Sequence, residues 1–90
     1  MTEPVHVDGN AAAGALAEVL GIDVTTAALT CAGCGRVGVF AETHVYQRAP
    51  GIVVRCQYCD HVLARLVHTL TDVRLDMRGA QSWRIALPPR

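Results

Sequence analysis

Two hydrophobic periods divide the chain. Over "DGNAAAGALAEVLG", Ala12, Leu16, Val19 and Leu20 recur at three- and four-residue steps, which places them on one stripe of a helix. Asp8 or Asn10 can cap its start, and Gly21 is suited to stop it. Gly14 weakens its middle, and a helix this short is marginal alone. The pattern therefore predicts a helix over residues 8–21 that docks on something else. From Val24 onward the chain reads as β-structure. "DVTTAALT" is rich in Val and Thr and runs into Cys31; "RVGVFAE", "HVYQR" and "GIVVR" follow, the last two separated by the turn signal Pro50-Gly51. "HVLARLVHTL" places Val62, Ala64 and Leu66 on one face and Leu63, Arg65 and Val67 on the other. In "DVRLDM", Val73, Leu75 and Met77 point inward and Asp72, Arg74 and Asp76 outward, with a hairpin turn at Thr71-Asp72. "RGAQSWRIALPPR" fits a strand through Trp83, Ile85 and Leu87, or a helix through Met77, Ala80, Trp83 and Leu87. Pro88-Pro89 ends either.

The chemistry is concentrated in four cysteines spaced C-x2-C-x21-C-x2-C: Cys31, Cys34, Cys56 and Cys59. A tetrahedral zinc with Zn–S bonds of about 2.3 Å needs sulfurs roughly 3.7 Å apart, and two cysteines on a tight turn can meet that. Gly35 follows the first pair, where a turn with positive φ frees amides to point at sulfur. Asp60 holds the matching place after the second pair and tolerates the same backbone better than most residues. Each pair thus reads as a knuckle at the tip of a β-hairpin. Structural zinc is the favoured cofactor. Iron fits the same ligands, and free thiols, local disulfides or a redox dithiol are the other readings. His61 and His44 are candidates to replace a ligand or to support one from outside, although four cysteines already complete the tetrahedron. Four thiolates and one Zn²⁺ sum to minus two, which Arg36 and Arg55 beside the knuckles can offset.

Composition sharpens this picture. The chain has 90 residues, 51% hydrophobic but only 4% aromatic, so one domain with a weakly filled core is expected. A metal is the kind of staple such a chain uses. Formal net charge is zero, all eight basic residues are Arg, and no basic block exists. This argues against non-specific nucleic-acid binding; a nucleic-acid-binding ribbon using Arg36, Arg48, Arg55 and Arg65 is the runner-up to a protein-binding module. The N-terminal "MTEPVHVDGN" has no secretory pattern and no apolar run reaches spanning length. A cytoplasmic location is expected, where paired cysteines favour metal over disulfides. No nucleophile–base constellation and no phosphate-binding motif appears, so no enzyme is expected. Trp83 reads as a core residue or as a partner-binding anchor, and Leu16, Val19 and Leu20 offer a further partner-binding surface if the helix does not fold back.

The whole chain resembles an uncharacterised family of small bacterial proteins, a domain of unknown function with zinc-ribbon-like cysteines. The resemblance rests on "HVDGNAAAGALAEVLGIDVT", "CAGCG" and "PGIVVRCQYC" followed by "LARLV", and spans about residues 6–79. Asp60 stands where many ribbons place glycine. The resemblance implies no established activity. Its members tend to be encoded near flavin- or ferredoxin-type reductases and molybdopterin oxidoreductases, which implies an accessory role beside a redox enzyme. The expected architecture is a small β-rich α+β fold. It comprises a flexible arm (1–7), one N-terminal helix (8–21), an antiparallel zinc ribbon (24–78) and a C-terminal strand or interaction tail (79–90). The expected partner is a larger protein, with an oxidoreductase as the candidate and a homo-oligomer as the alternative.

Overall fold

The helix forms where the apolar stripe predicts it. A computed structural model describes residues 7–48 and 51–87; the expected arm up to residue 6, the Pro50 turn signal and the closing prolines lie outside the described residues. Helix α1 spans Asn10–Leu20. The Asp8 carboxylate accepts the Asn10 amide at 3.1 Å, and Gly21 ends the helix at φ 76° with its amide on the Ala17 carbonyl. Gly21 is therefore the left-handed stop that the sequence signals. Ahead of the helix, Val7–Asp8 forms a short strand, β1.

Seven further strands follow: β2 (Ala28–Cys31), β3 (Val37–Val39), β4 (His44–Arg48), β5 (Gly51–Arg55), β6 (Val62–His68), β7 (Val73–Asp76) and β8 (Ala80–Arg84). They make two antiparallel sheets. One has the order β1-β4-β5-β6-β7, the other β3-β2-β8. The ambiguous C-terminal segment is thus a strand in its β8 part, pairing Trp83 with Leu29. The chain passes from β3 of one sheet to β4 of the other through a 3-10 turn at Phe40–Glu42. Phe40, the chain's one phenylalanine, is fully buried in that turn. Its ring centroid lies 5.7 Å from that of Trp83. The turn is tied to the segment before β2 by Phe40 N–H to Ala27 O and Ala41 N–H to Thr25 O. It is closed by the Thr43 hydroxyl donating to Phe40 O at 2.7 Å.

The core draws on every layer. Ala12 and Leu16 come from α1, Leu29 and Cys31 from β2, Val45 and Val54 from β4 and β5, and Leu63, Ala64 and Leu66 from β6. Strict alternation does not account for Leu63. Val54 pairs with Ala64 while Arg55 pairs with Val62, so Leu63 is an extra residue in a β-bulge. The bulge turns Leu63 inward beside Ala64 instead of onto the opposite face. A second bulge sits at Gln81, since Thr30 pairs with Ser82 and Cys31 with Ala80. Both bulges lie next to a cysteine. Val73 is exposed rather than inward, because its row is shared with exposed His68 at the open end of β6–β7; Leu75 and Met77 are half-buried against the core.

The helix does fold back. It packs on the Phe40–Glu42 turn and on β1, which spends Leu16 on the core at 2% exposure and seats Leu20 against it. Val19, at 40% exposure, is left facing out. Leu16→Ala should therefore cost about 2–5 kcal/mol, whereas Val19→Ala should stay within about 0.5 kcal/mol. Urea denaturation of the two variants checks this. Equal midpoints would contradict the docked helix.

Candidate metal centre

Each cysteine pair sits where a hairpin turns, one in each sheet. The first knuckle joins β2 to β3 and the second joins β5 to β6. Their backbones match bond for bond. In the first, Cys31 N–H donates to Arg36 O at 2.9 Å and Gly35 N–H to Cys31 O at 2.9 Å. In the second, Cys56 N–H donates to His61 O at 2.8 Å and Asp60 N–H to Cys56 O at 2.9 Å. The residue after each second cysteine is left-handed: Gly35 at φ 77° and Asp60 at φ 67°. Asp60 is the only non-glycine residue with positive φ among the described residues. Its conformation is supported by Arg55, whose Nη1 donates to the Asp60 carbonyl at 2.9 Å and lies 3.7 Å from its carboxylate.

This geometry brings the four sulfurs together. All four Sγ atoms lie within 4.8 Å of one another. Across the sheets, Cys31 and Cys59 are 3.7 Å apart, and Cys34 and Cys56 are 3.8 Å apart. Those separations match the edge of a zinc–sulfur tetrahedron, roughly 3.8 Å for bonds of about 2.3 Å. Amides point at the sulfurs as well: Gly33 N–H at 3.3 Å from Cys31 Sγ, and Tyr58 N–H at 3.4 Å from Cys56 Sγ. Such donors favour thiolate over thiol. The donor set and spacing therefore suit a divalent cation held by sulfur alone. Four thiolate donors leave no open coordination position for a substrate, which fits a structural, non-catalytic module.

The thiols also titrate against each other. Burial pushes Cys31 up, but the Cys34 and Gly33 amides and the neighbouring Cys59 and Cys34 thiols outweigh it and bring it down to about 7. The His61 amide lowers Cys59, but burial and the thiols of Cys31, Cys34 and Cys56 outweigh that and push it up to about 12. A second anion beside Cys31 is disfavoured unless a cation shares the site.

Three contacts join the knuckles around the sulfurs. The His61 ring lies over Gly33, where an added Cβ would come within 2.9 Å of it. The Gln57 side chain fills the space over Gly38 on β3. The Arg36 guanidinium sits 5.1 Å from the centroid of the Tyr58 ring. Of the residues that the sequence marks as supports, Gly35 and Asp60 shape the knuckles and His61 both donates its amide to Cys59 and covers Gly33. His44 is on β4, in the five-stranded sheet. Gln57, Tyr58 and Gly38 are not distinguished by sequence reasoning. The only trace of them is the glycine-rich run "CAGCGRVG" facing "CQYC".

The model of a family of unknown function, DUF6510, matches residues 3–88. The chain belongs to DUF6510. No curated protein and no solved structure matches it. The matched DUF6510 span takes in both knuckles, the helix and all eight strands, so the four-cysteine cluster is part of the family's domain rather than an appendage. No helix among the described residues of this DUF6510 chain is long and apolar enough to cross a membrane.

Arg36, at the first knuckle, packs on Tyr58 of the second, and Arg55 lies 5.7 Å from the Tyr46 ring centroid and bonds Asp60. Arg65 faces Asp76 across β6–β7, and the Arg48 side chain lies outside the described residues. Trp83 is half-buried against Phe40, with its Nε1 shielded from solvent and lacking an acceptor among the described residues.

Two predictions follow from the knuckles. Asp60→Gly should retain metal and match or exceed the parent's stability, by up to about 1 kcal/mol, because glycine takes positive φ without cost. Asp60→Val should lower both stability and metal occupancy, measured by thermal melting and elemental analysis; a Val variant equal to the parent would contradict the strained turn. Protons and metal compete for the sulfurs, so zinc affinity should fall as pH drops, and most steeply below about 7, where Cys31 is protonated in the metal-free site. Competition with a chromophoric chelator across pH measures this. A flat profile would contradict thiolate ligation.

Proposed function

We propose that this protein is a non-enzymatic zinc module that acts as the small accessory partner of a larger protein, an oxidoreductase being the favoured candidate. Cys31, Cys34, Cys56 and Cys59 are its zinc ligands. The observation that supports this reading is the sulfur cluster itself, because it draws two donors from each of two sheets and leaves nothing open for catalysis. Zinc is preferred to iron because the two C-x2-C pairs, each flanked by strands, follow the common structural-zinc pattern. An iron-loaded, electron-carrying form would use the same four sulfurs.

The docking surface differs from the stripe in the sequence. Leu16 and Leu20 serve the core, so the outward residues of the helix end, Val19 and Ile22, at 40% and 43% exposure, are the better candidates on that side. Trp83 contributes only its exposed edge.

The test combines metal analysis and capture on one sample of the zinc-loaded protein. The expected result is one zinc per chain, colourless protein, and capture of an oxidoreductase subunit that the double variant Val19→Asp/Ile22→Asp loses while keeping its zinc. A coloured, iron-loaded sample would move the assignment to electron transfer. Capture unaffected by the double variant would remove the helix end from the interface.

A further inference from the structure

In each knuckle the first cysteine is a buried residue and the second an exposed one. Cys31 and Cys56 are buried, while Cys34 and Cys59 are exposed. The sulfur of exposed residue Cys59 lies 3.7 Å from that of buried Cys31 in the other knuckle, and the sulfur of exposed Cys34 lies 3.8 Å from that of buried Cys56. An oxidant arriving from solvent therefore meets a sulfur whose resolving partner is already in contact, and that partner belongs to the other knuckle. Covalent closure of either pair needs an approach of only about 1.7 Å, to an S–S bond of about 2.05 Å. We infer that the centre is a peroxide-labile staple: oxidation frees the metal and leaves disulfides that join the same two sheets. This inference rests on the zinc reading above.

The chemistry balances with hydrogen peroxide as the oxidant. The Cys59 thiolate attacks one peroxide oxygen. An S–O bond forms, the O–O bond breaks, and the departing hydroxide takes a proton to become water. Sulfur loses two electrons and peroxide gains them. The Cys31 thiolate then attacks the sulfenic sulfur; S–S forms, S–O breaks, and the second hydroxide leaves as water after protonation. Cys34 and Cys56 repeat the sequence with a second peroxide. In sum, four thiolates, two peroxides and four protons give two disulfides and four waters, and the donors that held Zn²⁺ are consumed. The buried member of each pair acts as the resolving thiol, which protects the exposed one from further, irreversible oxidation.

The arginines make closure between the knuckles distinguishable from closure within each. Tryptic cleavage after Arg36 leaves Cys31 and Cys34 in one peptide, and cleavage after Arg55 and Arg65 leaves Cys56 and Cys59 in another. The zinc-loaded full chain is treated with excess hydrogen peroxide. Released zinc is followed with a chromophoric indicator, free thiols are counted, and an unreduced tryptic digest is mapped by mass spectrometry. The expected result is zinc release in step with thiol loss, and a single disulfide-linked species containing both cysteine peptides that dithiothreitol separates. Zinc and free thiols retained under peroxide would overturn the inference. So would zinc release with a closed disulfide inside each separate peptide. A reduced, untreated sample without stoichiometric zinc would overturn the zinc reading first, and this inference with it.

Discussion

The structure depends on one constraint: two sheets that share no ladder hydrogen bonds must be held together at their hairpin ends. The 3-10 turn around Phe40 links them through the chain and fills the space between them. At the far side, Gly79 performs a similar service with backbone alone. Its carbonyl accepts the Ala32 amide at 2.9 Å in the first knuckle, and a side chain there would overlap the Val62 carbonyl of β6. Between these two anchors lie the four sulfurs. Among the described residues, a cation bound by them would be the strongest link that reaches both sheets at the knuckles, because the other contacts around the sulfurs are a ring over a glycine, an amide over a glycine and an exposed arginine–tyrosine pair.

The composition explains why such a link matters. The apolar mass is carried by Ala, Val and Leu, with one buried Phe and one half-buried Trp. Structural zinc sites contribute an apparent 10–16 kcal/mol, roughly, which is as large as the whole net stability of a typical domain, about 5–15 kcal/mol. For a chain of this length, such a metal term would therefore be comparable with the sum of everything else. The bulges at Leu63 and Gln81 belong to the same logic. Each adds one residue to a strand beside a cysteine, and a bulge increases local twist and re-aims the chain.

Much of this was legible in the residues. The C-x2-C spacing, Gly35 and Asp60 together announce two matched turns, because a knuckle needs positive φ at one fixed place and both residues tolerate it. The helix was legible through its stripe and Gly21, and the strands "HVYQR" and "GIVVR" through their β-branched content. Pairing across distance was not. Nothing local to "AQSWR" states that it adds to β2, and this is why helix and strand patterns competed there. Nor does alternation reveal a bulge: Leu63 sits out of phase with Ala64 and Leu66, yet all three are buried. The helix stripe was visible as apolar, but its use was not, since an apolar face on a helix reads the same whether it meets its own chain or another. The contacts of Gln57 and Tyr58 with the first knuckle likewise depend on how two sheets are juxtaposed, which single-sequence patterning does not encode.

Amide hydrogen exchange, compared between the zinc-loaded and the chelator-stripped protein, addresses the staple most directly. The account predicts that stripping zinc removes protection from Cys31, Ala32, Gly35, Cys56 and Asp60, and from the β2–β8 ladder, while amides in the middle of β4–β5 lose the least. Unchanged protection at both knuckles in a verified metal-free sample would show that the sheets hold together without the ion, and would contradict the account.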